Sequence, residues 1–163
     1  MKKKITIITP TFNSAQTIKL NIQSIQNQSY INWEHLIIDN HSVDNTLEII
    51  NKNFDLRRKV LSEKDDGIYD AINKGINIAK GEIISILHSD DMFFDNNTLK
   101  EVINKFNTCK TDIVYGNLIY VRKNDITKIL RYWKSCEFKS GLFNKGWSPP
   151  HPSFFVKKKT LKD

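Results

Sequence analysis

The stretch IISILHSDDMFF, residues 83–94, places two adjacent carboxylates, Asp90 and Asp91, directly after a short apolar run. A short, β-branched run of this kind is typical of a buried strand. Two like charges side by side are costly to bury unless a cation or strong hydrogen-bond donors compensate. A hard divalent ion such as Mg²⁺ or Mn²⁺, held by a carboxylate and a substrate diphosphate, would compensate. The simpler alternative makes one aspartate a helix cap, but Asp95 and Asn96 already offer that cap.

Outward from this stretch, short apolar runs alternate with segments of helical periodicity. The predicted strands are residues 5–9, 34–39, 59–62 and 82–87, and the predicted helices are residues 15–28, 42–50 with Ser42 as its cap, 68–79 and 97–106. This alternation, with short connections, predicts an α/β fold: a Rossmann-like, mainly parallel sheet with helices on both faces. Ligands of such sheets bind outside the carboxyl ends of the strands, so the residues that follow each strand are the candidates for a site.

The pattern changes after residue 111. Residues 112–121 and 127–133 read as two strands around a polar turn, followed by an irregular, aromatic-rich segment over 138–147. Residues 153–157 read as a last short strand after a proline-rich segment. We expect one domain over residues 1–163, in which residues 111–163 extend the sheet formed by residues 1–110.

Polar side chains follow the first two strands. Pro10, Thr11 and Phe12 follow the first, without the Gly-rich turn of a dinucleotide-binding motif or a P-loop. Phe12 could pack against a nucleobase and Thr11 could hydrogen-bond one, although the segment alone reads more simply as a turn before a helix. Asp39, after the second strand, adjoins buried structure and needs a partner.

The third connection and the proline-rich segment add further candidates. One of Asp65 and Asp66 is expected to cap the helix that follows, which leaves the other without that explanation. Gly75 inside this helix indicates close backbone packing, and Lys74 is expected to face solvent. His151 lies between Pro150 and Pro152, whose rigidity would hold it in place.

Composition limits the function classes. The chain of 163 residues has 25 basic and 18 acidic side chains, a net charge of +7, and 39% hydrophobic residues, which excludes a disordered class. Two cysteines, Cys109 and Cys136, fit reduced thiols in a cytoplasmic protein. Part of the basic excess lies at the ends, in residues 2–4 and 157–162. No helix combines a basic stripe with exposed aromatic residues, so we expect no nucleic-acid partner, while a weak attraction to anionic lipid headgroups stays open.

Five motifs together resemble family 2 glycosyltransferases of the GT-A fold. They are IITPTFN (residues 7–13), IIDN (37–40), DGIYDAINKG (66–75), SDD (89–91) and PHPSFF (150–155). Each motif is weak alone, but they occur in the family's order over nearly the whole chain. The resemblance implies a nucleotide-diphospho-sugar donor, with a UDP-sugar favoured, a divalent Mg²⁺ or Mn²⁺, and transfer to a glycan or lipid-linked acceptor hydroxyl with inversion.

The resemblance also implies roles for individual residues. Pro10, Thr11 and Phe12 would line the base, and Asp39 and Asp66 would contact the base and ribose. Asp90 would contact the ribose and Asp91 would bind the metal, at the place of the family's DXD-type motif. His151 would lie on the acceptor or diphosphate side. The family context implies surface polysaccharide or glycoconjugate biosynthesis in the cytoplasm, with peripheral association at the inner face of the membrane.

One departure from the family pattern concerns the general base. Family members carry this base beyond the segment that holds His151, and Asp163 is a poor candidate. We therefore expect the base to lie beyond residue 163 and the chain to be a truncated form. The alternative is a non-catalytic module that binds a nucleotide sugar without turnover.

Overall fold

The computed structural model describes residues 3–161; Lys2, Lys162 and Asp163, considered above, lie outside the described residues. The strands are β1 (Ile5–Thr11), β2 (Trp33–Asp39), β3 (Arg58–Ser62), β4 (Ile83–Ile86), β5 (Ile113–Tyr115), β6 (Leu118–Arg122), β7 (Asp125–Trp133) and β8 (Phe154–Lys157). The helices are α1 (Ile18–Gln26), α2 (Thr46–Lys52), α3 (Ile68–Ile78) and α4 (Thr98–Thr108). Short 3-10 helices cover Phe143–Lys145, His151–Ser153 and Lys158–Leu161.

Six strands form one sheet in the order β3-β2-β1-β4-β8-β5. The first four of these strands are parallel to one another, whereas β8 runs antiparallel to both β4 and β5. The predicted mainly parallel α/β sheet is therefore confirmed, and β8 is the one strand of reversed direction. No helix within residues 3–161 is long and apolar enough to cross a membrane.

Alternate residues of the strands supply two cores, as the period of two along a strand requires. On one face Ile7 and Ile83 pack with Leu99 of α4, and Ile37 packs with α1 and α2. On the other face Ile8 packs with α3. Helices thus cover both faces of the sheet, and every strand from β1 to β4 is buried between two layers, except that β3 forms an edge.

The face of helix α3 that contacts the sheet agrees only in part with hydrophobic periodicity, which predicts Ile68, Ile72, Ile76 and Ala79 as inward residues. Ala79 is buried and Ile76 packs against the core, but Ile68 is 48% exposed. Within the helix, Ala71 and Gly75 are the buried positions. A Cβ atom on Gly75 would lie 2.5 Å from Ile8 Cγ2. The small residues let the helix approach the sheet closely, which confirms the predicted close packing at Gly75.

The second half of the chain also differs from the expectation. Residues 112–121 do not form one strand, because the chain leaves the sheet at Gly116 and Asn117. Before this point β5 pairs with β8, and after it β6 pairs with β7 in a separate two-stranded hairpin. The hairpin is attached beside the main sheet rather than hydrogen-bonded into it.

Candidate active site

The candidate site lies where the strand order of the sheet reverses. From β1 the chain moves outward through β2 to β3, and then returns through α3 to β4 on the other side of β1. Such a switch point leaves a crevice at the carboxyl ends of the two central strands. The loops after β1 and β4 meet there, and the hydroxyl oxygens of Ser14 and Ser89 are 2.8 Å apart.

The first group of predicted residues lies at the ends of β1 and β2. Thr11 and Asp39 are paired in register, and Pro10, Thr11 and Asp39 are all buried. The Asp39 carboxylate accepts hydrogen bonds from the Ser62 hydroxyl (2.7 Å) and from the backbone N–H of Ser42 (3.1 Å). The Ser42 hydroxyl also donates to it. These donors are the partners that a buried carboxylate requires.

Two loops carry this group and are bonded to each other. Asn13 accepts a hydrogen bond from the backbone N–H of Val43, and Ser42 Oγ accepts one from the backbone N–H of Asn13. Asn13 has a positive φ of 47°, a left-handed conformation that asparagine tolerates. The loop thereby presents the ring of Phe12, which is 57% exposed, at the surface.

The capping prediction for Ser42 is wrong. Helix α2 begins at Thr46, and Ser42 instead directs its hydroxyl to Asp39. The carboxylate of Asp44 accepts hydrogen bonds from the backbone N–H groups of Ala15 and Thr46, which ties the two loops together.

Asp66 is exposed in the loop between β3 and α3. Its backbone N–H donates to Asp70, and neither Asp65 nor Asp66 caps the helix: the residue at the cap position is Gly67, with φ 116°. The expected cap is therefore wrong. The loop still adjoins the Asp39 group, because the backbone N–H of Asp65 donates to Asn40.

Lys74 was expected to face solvent, but its ammonium forms two ion pairs. Its ammonium lies 3.1 Å from a Glu63 carboxylate oxygen and 3.2 Å from one of Asp70. These ion pairs hold the loop before α3 against the first two turns of the helix.

The second group is the acid pair after β4. Asp90 is exposed, whereas Asp91 is half-buried, and burial together with the neighbouring charge of Asp90 raises the pKa of Asp91 from 3.8 to about 6. The side-chain amide of Asn21, on α1, donates to the backbone carbonyls of His88 and Asp91. The loop is therefore fixed in a position where two carboxylates repel each other.

The structure brings His151 close to the acid pair of Asp90 and Asp91. There it contacts His88, a neighbour that the sequence did not reveal. The rings of His88 and His151 are 5.5 Å apart, edge to face. Burial, followed by repulsion from His151, lowers the pKa of His88. His88 directly precedes Ser89-Asp90-Asp91, so its position at a strand end was the signal that could have identified it.

A cavity of about 820 Å³ extends from the acid pair to the β6–β7 hairpin. Asp90 and Asp91 line one end, and Tyr132 and Ile129 of the hairpin line the other. Its size is within the range of pockets that bind small molecules.

The acid pair fits a divalent cation. Within residues 3–161 no three histidine, cysteine or carboxylate groups converge as a complete metal-binding cluster. Mg²⁺, however, is commonly held by one or two carboxylates together with substrate phosphates. Burial and the neighbouring charge of Asp90 disfavour the ionised form of Asp91 and so raise its pKa, and a cation at this position would compensate both effects.

Comparisons with known proteins agree with this geometry. WfgD of Escherichia coli, a UDP-Glc:alpha-D-GlcNAc-diphosphoundecaprenol beta-1,3-glucosyltransferase, is 34% identical over 123 residues, covering 75% of this chain and 48% of WfgD. S. aureus TarS 1-349 in complex with UDP-GlcNAc superposes with a TM-score of 0.75 at 21% identity, over 98% of this chain and 47% of that one.

A third relative is the mannosyltransferase PcManGT from Pyrobaculum calidifontis, solved with GDP-Man and Mn²⁺. It superposes with a TM-score of 0.66 at 24% identity, over 78% of this chain and 38% of that one. The chain thus spans about half the length of the curated relatives that it matches. These likenesses confirm the GT-A-like α/β fold.

The family model of glycosyl transferase family 2 matches residues 6–157, almost the entire chain. That range contains both groups of candidate residues and all eight strands except the first residue of β1. The chain belongs to glycosyltransferase family 2.

Proposed function

We propose that residues 1–110 bind a nucleotide-diphospho-sugar and that residues 111–163 begin the acceptor side of a glycosyltransferase domain. The enzyme would transfer the sugar to an acceptor hydroxyl with inversion, in surface polysaccharide or glycoconjugate biosynthesis. The observation that carries the proposal is the acid pair at the switch point, where Asp91 has a pKa of about 6.

The two groups of residues divide the donor between them. Phe12 provides an exposed ring for the base, beside Pro10 and Thr11. The oxygens of Asp39 and Asp66 are proposed to accept hydrogen bonds from the base and ribose. Asp39 keeps capacity for such a bond, because a carboxylate has about four acceptor positions and three are used by Ser42 and Ser62.

The acid pair is proposed to serve two parts of the donor: Asp90 would contact the ribose, and Asp91 would hold the divalent metal at the diphosphate. His151 would lie on the acceptor or diphosphate side. A bound Mg²⁺ or Mn²⁺ would supply positive charge opposite the leaving diphosphate. The backbone N–H of Asp91 donates to the His88 carbonyl and the Asn21 amide donates to the carbonyls of both residues, which keeps Asp91 in position.

The donor and acceptor classes are proposals supported by relatives. WfgD is named for UDP-Glc and for an acceptor on diphosphoundecaprenol, and TarS was solved with UDP-GlcNAc. We therefore propose a UDP-sugar donor and a glycan or lipid-linked acceptor. An acceptor of this kind would place the protein in the cytoplasm, peripherally at the inner face of the membrane.

Thermal-shift measurements with UDP-Glc, UDP-GlcNAc and GDP-Man, each with and without Mn²⁺, test the donor class. A ligand that binds the folded state alone, at 100 times its Kd, stabilises that state by about 2.7 kcal/mol. We expect stabilisation by a UDP-sugar only when Mn²⁺ is present. No stabilisation by any nucleotide sugar would contradict the proposal. Binding without transfer or hydrolysis would favour the non-catalytic module.

A further inference from the structure

One internal segment of the chain is strongly basic, in addition to the two chain ends. Residues 117–147, here called the hairpin segment, contain β6, β7 and the loop that follows them. They include seven basic and two acidic side chains, a net charge of +5. The other 132 residues have eighteen basic and sixteen acidic side chains, a net charge of +2. Residues 1–4 and 157–163 carry seven basic side chains and one acidic side chain, a net charge of +6, so the hairpin segment and the ends are both basic while the rest of the chain is acidic.

The two faces of the β6–β7 hairpin have different surroundings. Pairing places Ile119 opposite Tyr132, and both line the cavity that reaches the acid pair. Tyr120 is opposite Arg131 on the other face, and the Arg131 guanidinium lies 5.7 Å from the centre of the Tyr120 ring. This outer face thus combines a cation with an exposed aromatic ring.

The loop after the hairpin adds a cluster of rings. Phe138, Phe143 and Trp147 contact one another with ring centres 5.6 to 6.1 Å apart, and Trp147 also packs edge to face on Tyr115. Phe143 is 61% exposed, although it belongs to this cluster. Basic side chains lie between the rings along the chain, at Lys139 and Lys145.

Exposed aromatic and aliphatic side chains among lysines and arginines are the composition of surfaces that lie in the headgroup region of a membrane. Leu130, 62% exposed, is an aliphatic side chain of the hairpin. A nucleic acid would leave it without a partner, because bases stack on aromatic rings and phosphates pair with cations. Lipid provides both an anionic layer for the charges and a hydrocarbon layer for Leu130.

We propose that the exposed basic and hydrophobic side chains of the hairpin segment bind an anionic lipid surface. The cavity behind the hairpin would then open beside the membrane, where a lipid-linked acceptor is found. That consequence rests on the proposed function, whereas lipid binding itself needs neither donor nor transfer. The two can fail separately, since vesicle binding is measured without any nucleotide sugar.

Co-sedimentation of the purified chain with phosphatidylglycerol-containing vesicles tests the proposal, against phosphatidylcholine vesicles. We expect binding to the anionic vesicles only, and its loss in 0.5 M NaCl, because screening at high salt shortens the range of charge attraction. The test variant replaces Lys123, Lys134 and Lys139 by glutamine. Each lysine near an anionic surface changes partitioning about fivefold, so the triple change should weaken binding on the order of 100-fold.

The control variant replaces Lys19, Lys59 and Lys80 by glutamine, a change of equal charge on exposed side chains outside the hairpin segment. It should weaken vesicle binding by less than about threefold. Phe143→Ser should also weaken binding, whereas Phe54→Ser, at a side chain 75% exposed elsewhere, should not. Circular dichroism verifies that each variant is folded.

Three results would overturn the proposal. One is the absence of sedimentation with anionic vesicles, and another is an equal loss in the test and control triple variants. The third is evidence that the surface binds another partner. In that case vesicles are not bound, and the same lysines are needed for binding a single-stranded oligonucleotide or for self-association measured by sedimentation velocity.

Discussion

Replacing Asp91 by asparagine should stabilise the metal-free protein at pH 8. Burial and the charge of Asp90 raise the pKa of Asp91 from 3.8 to about 6. This difference is roughly two pKa units, and each unit corresponds to about 1.36 kcal/mol. The ionised Asp91 carboxylate therefore destabilises the fold by about 3 kcal/mol, a penalty that a neutral amide of similar shape does not carry.

The sign of the pH dependence follows from the raised pKa. An unfolded chain releases the Asp91 proton near pH 4, while the folded chain keeps it until about pH 6. The penalty is absent below pH 4, grows between pH 4 and 6, and is complete above pH 6. Asp91→Asn should therefore gain stability at pH 8 and gain none at pH 4.

Thermal unfolding in EDTA at both pH values measures this difference. For a domain of this length about 1 kcal/mol shifts Tm by about 2–4 °C, so the gain at pH 8 should approach 6–12 °C at most. Glu82→Gln, an exposed carboxylate beside the opposite end of β4, serves as the charge-matched control and should change Tm little. Equal shifts of Asp91→Asn at pH 4 and pH 8, or a lower Tm at pH 8, would refute the reasoning.

Three further predictions concern the scaffold. Burial holds the pKa of His35 well below 6.5, so the free energy of unfolding should fall below pH 6.5, by up to about 1.4 kcal/mol per pH unit; urea titrations should show a shallower pH dependence in His35→Gln. Gly75→Ala should lower the free energy of unfolding in urea titrations by about 1–3 kcal/mol through overpacking against Ile8, and the double variant with Ile8→Ala should lose less than the sum of the two single losses. The buried Glu34 carboxylate pairs with the Lys4 ammonium at 3.0 Å, so Glu34→Gln should lower the free energy of unfolding in urea titrations by about 2 kcal/mol or more. Glu48→Gln, at an exposed pair, should leave it nearly unchanged.

Strands β1, β2 and β4 could be predicted because short apolar runs mark strands buried on both faces, whereas β3, at the edge of the sheet, has only a weak apolar run. The alternation of strands with helices predicted parallel strands but not their order in the sheet. The rule that ligands bind at carboxyl ends then selected Thr11, Asp39 and Asp91 as neighbours of one crevice. The rule could not predict that these residues form two groups, one at the ends of β1 and β2 and one after β4, because the grouping depends on which loops hydrogen-bond to one another.

The failures have local physical causes. Hydrophobic periodicity selected the isoleucines of α3, and Ile76 does pack against the core, but close approach to the sheet favours small residues, so Ala71 and Gly75 are buried while Ile68 is exposed. The break at Gly116 was not visible, because β5 and β6 have similar composition and differ only in their partners, β8 and β7. The pairing of His88 with His151 joins residues 63 positions apart, which no local pattern contains.

Calorimetric titration of a UDP-sugar into the protein, with and without Mn²⁺, tests most directly whether the acid pair after β4 holds the donor through a divalent ion. Wild type should bind the UDP-sugar only with Mn²⁺, and Asp91→Asn should bind it at least about 100-fold more weakly while remaining folded, with Glu82→Gln unchanged. Equal affinity of wild type and Asp91→Asn in the presence of Mn²⁺ would contradict the assignment of Asp91 and with it the proposed donor site.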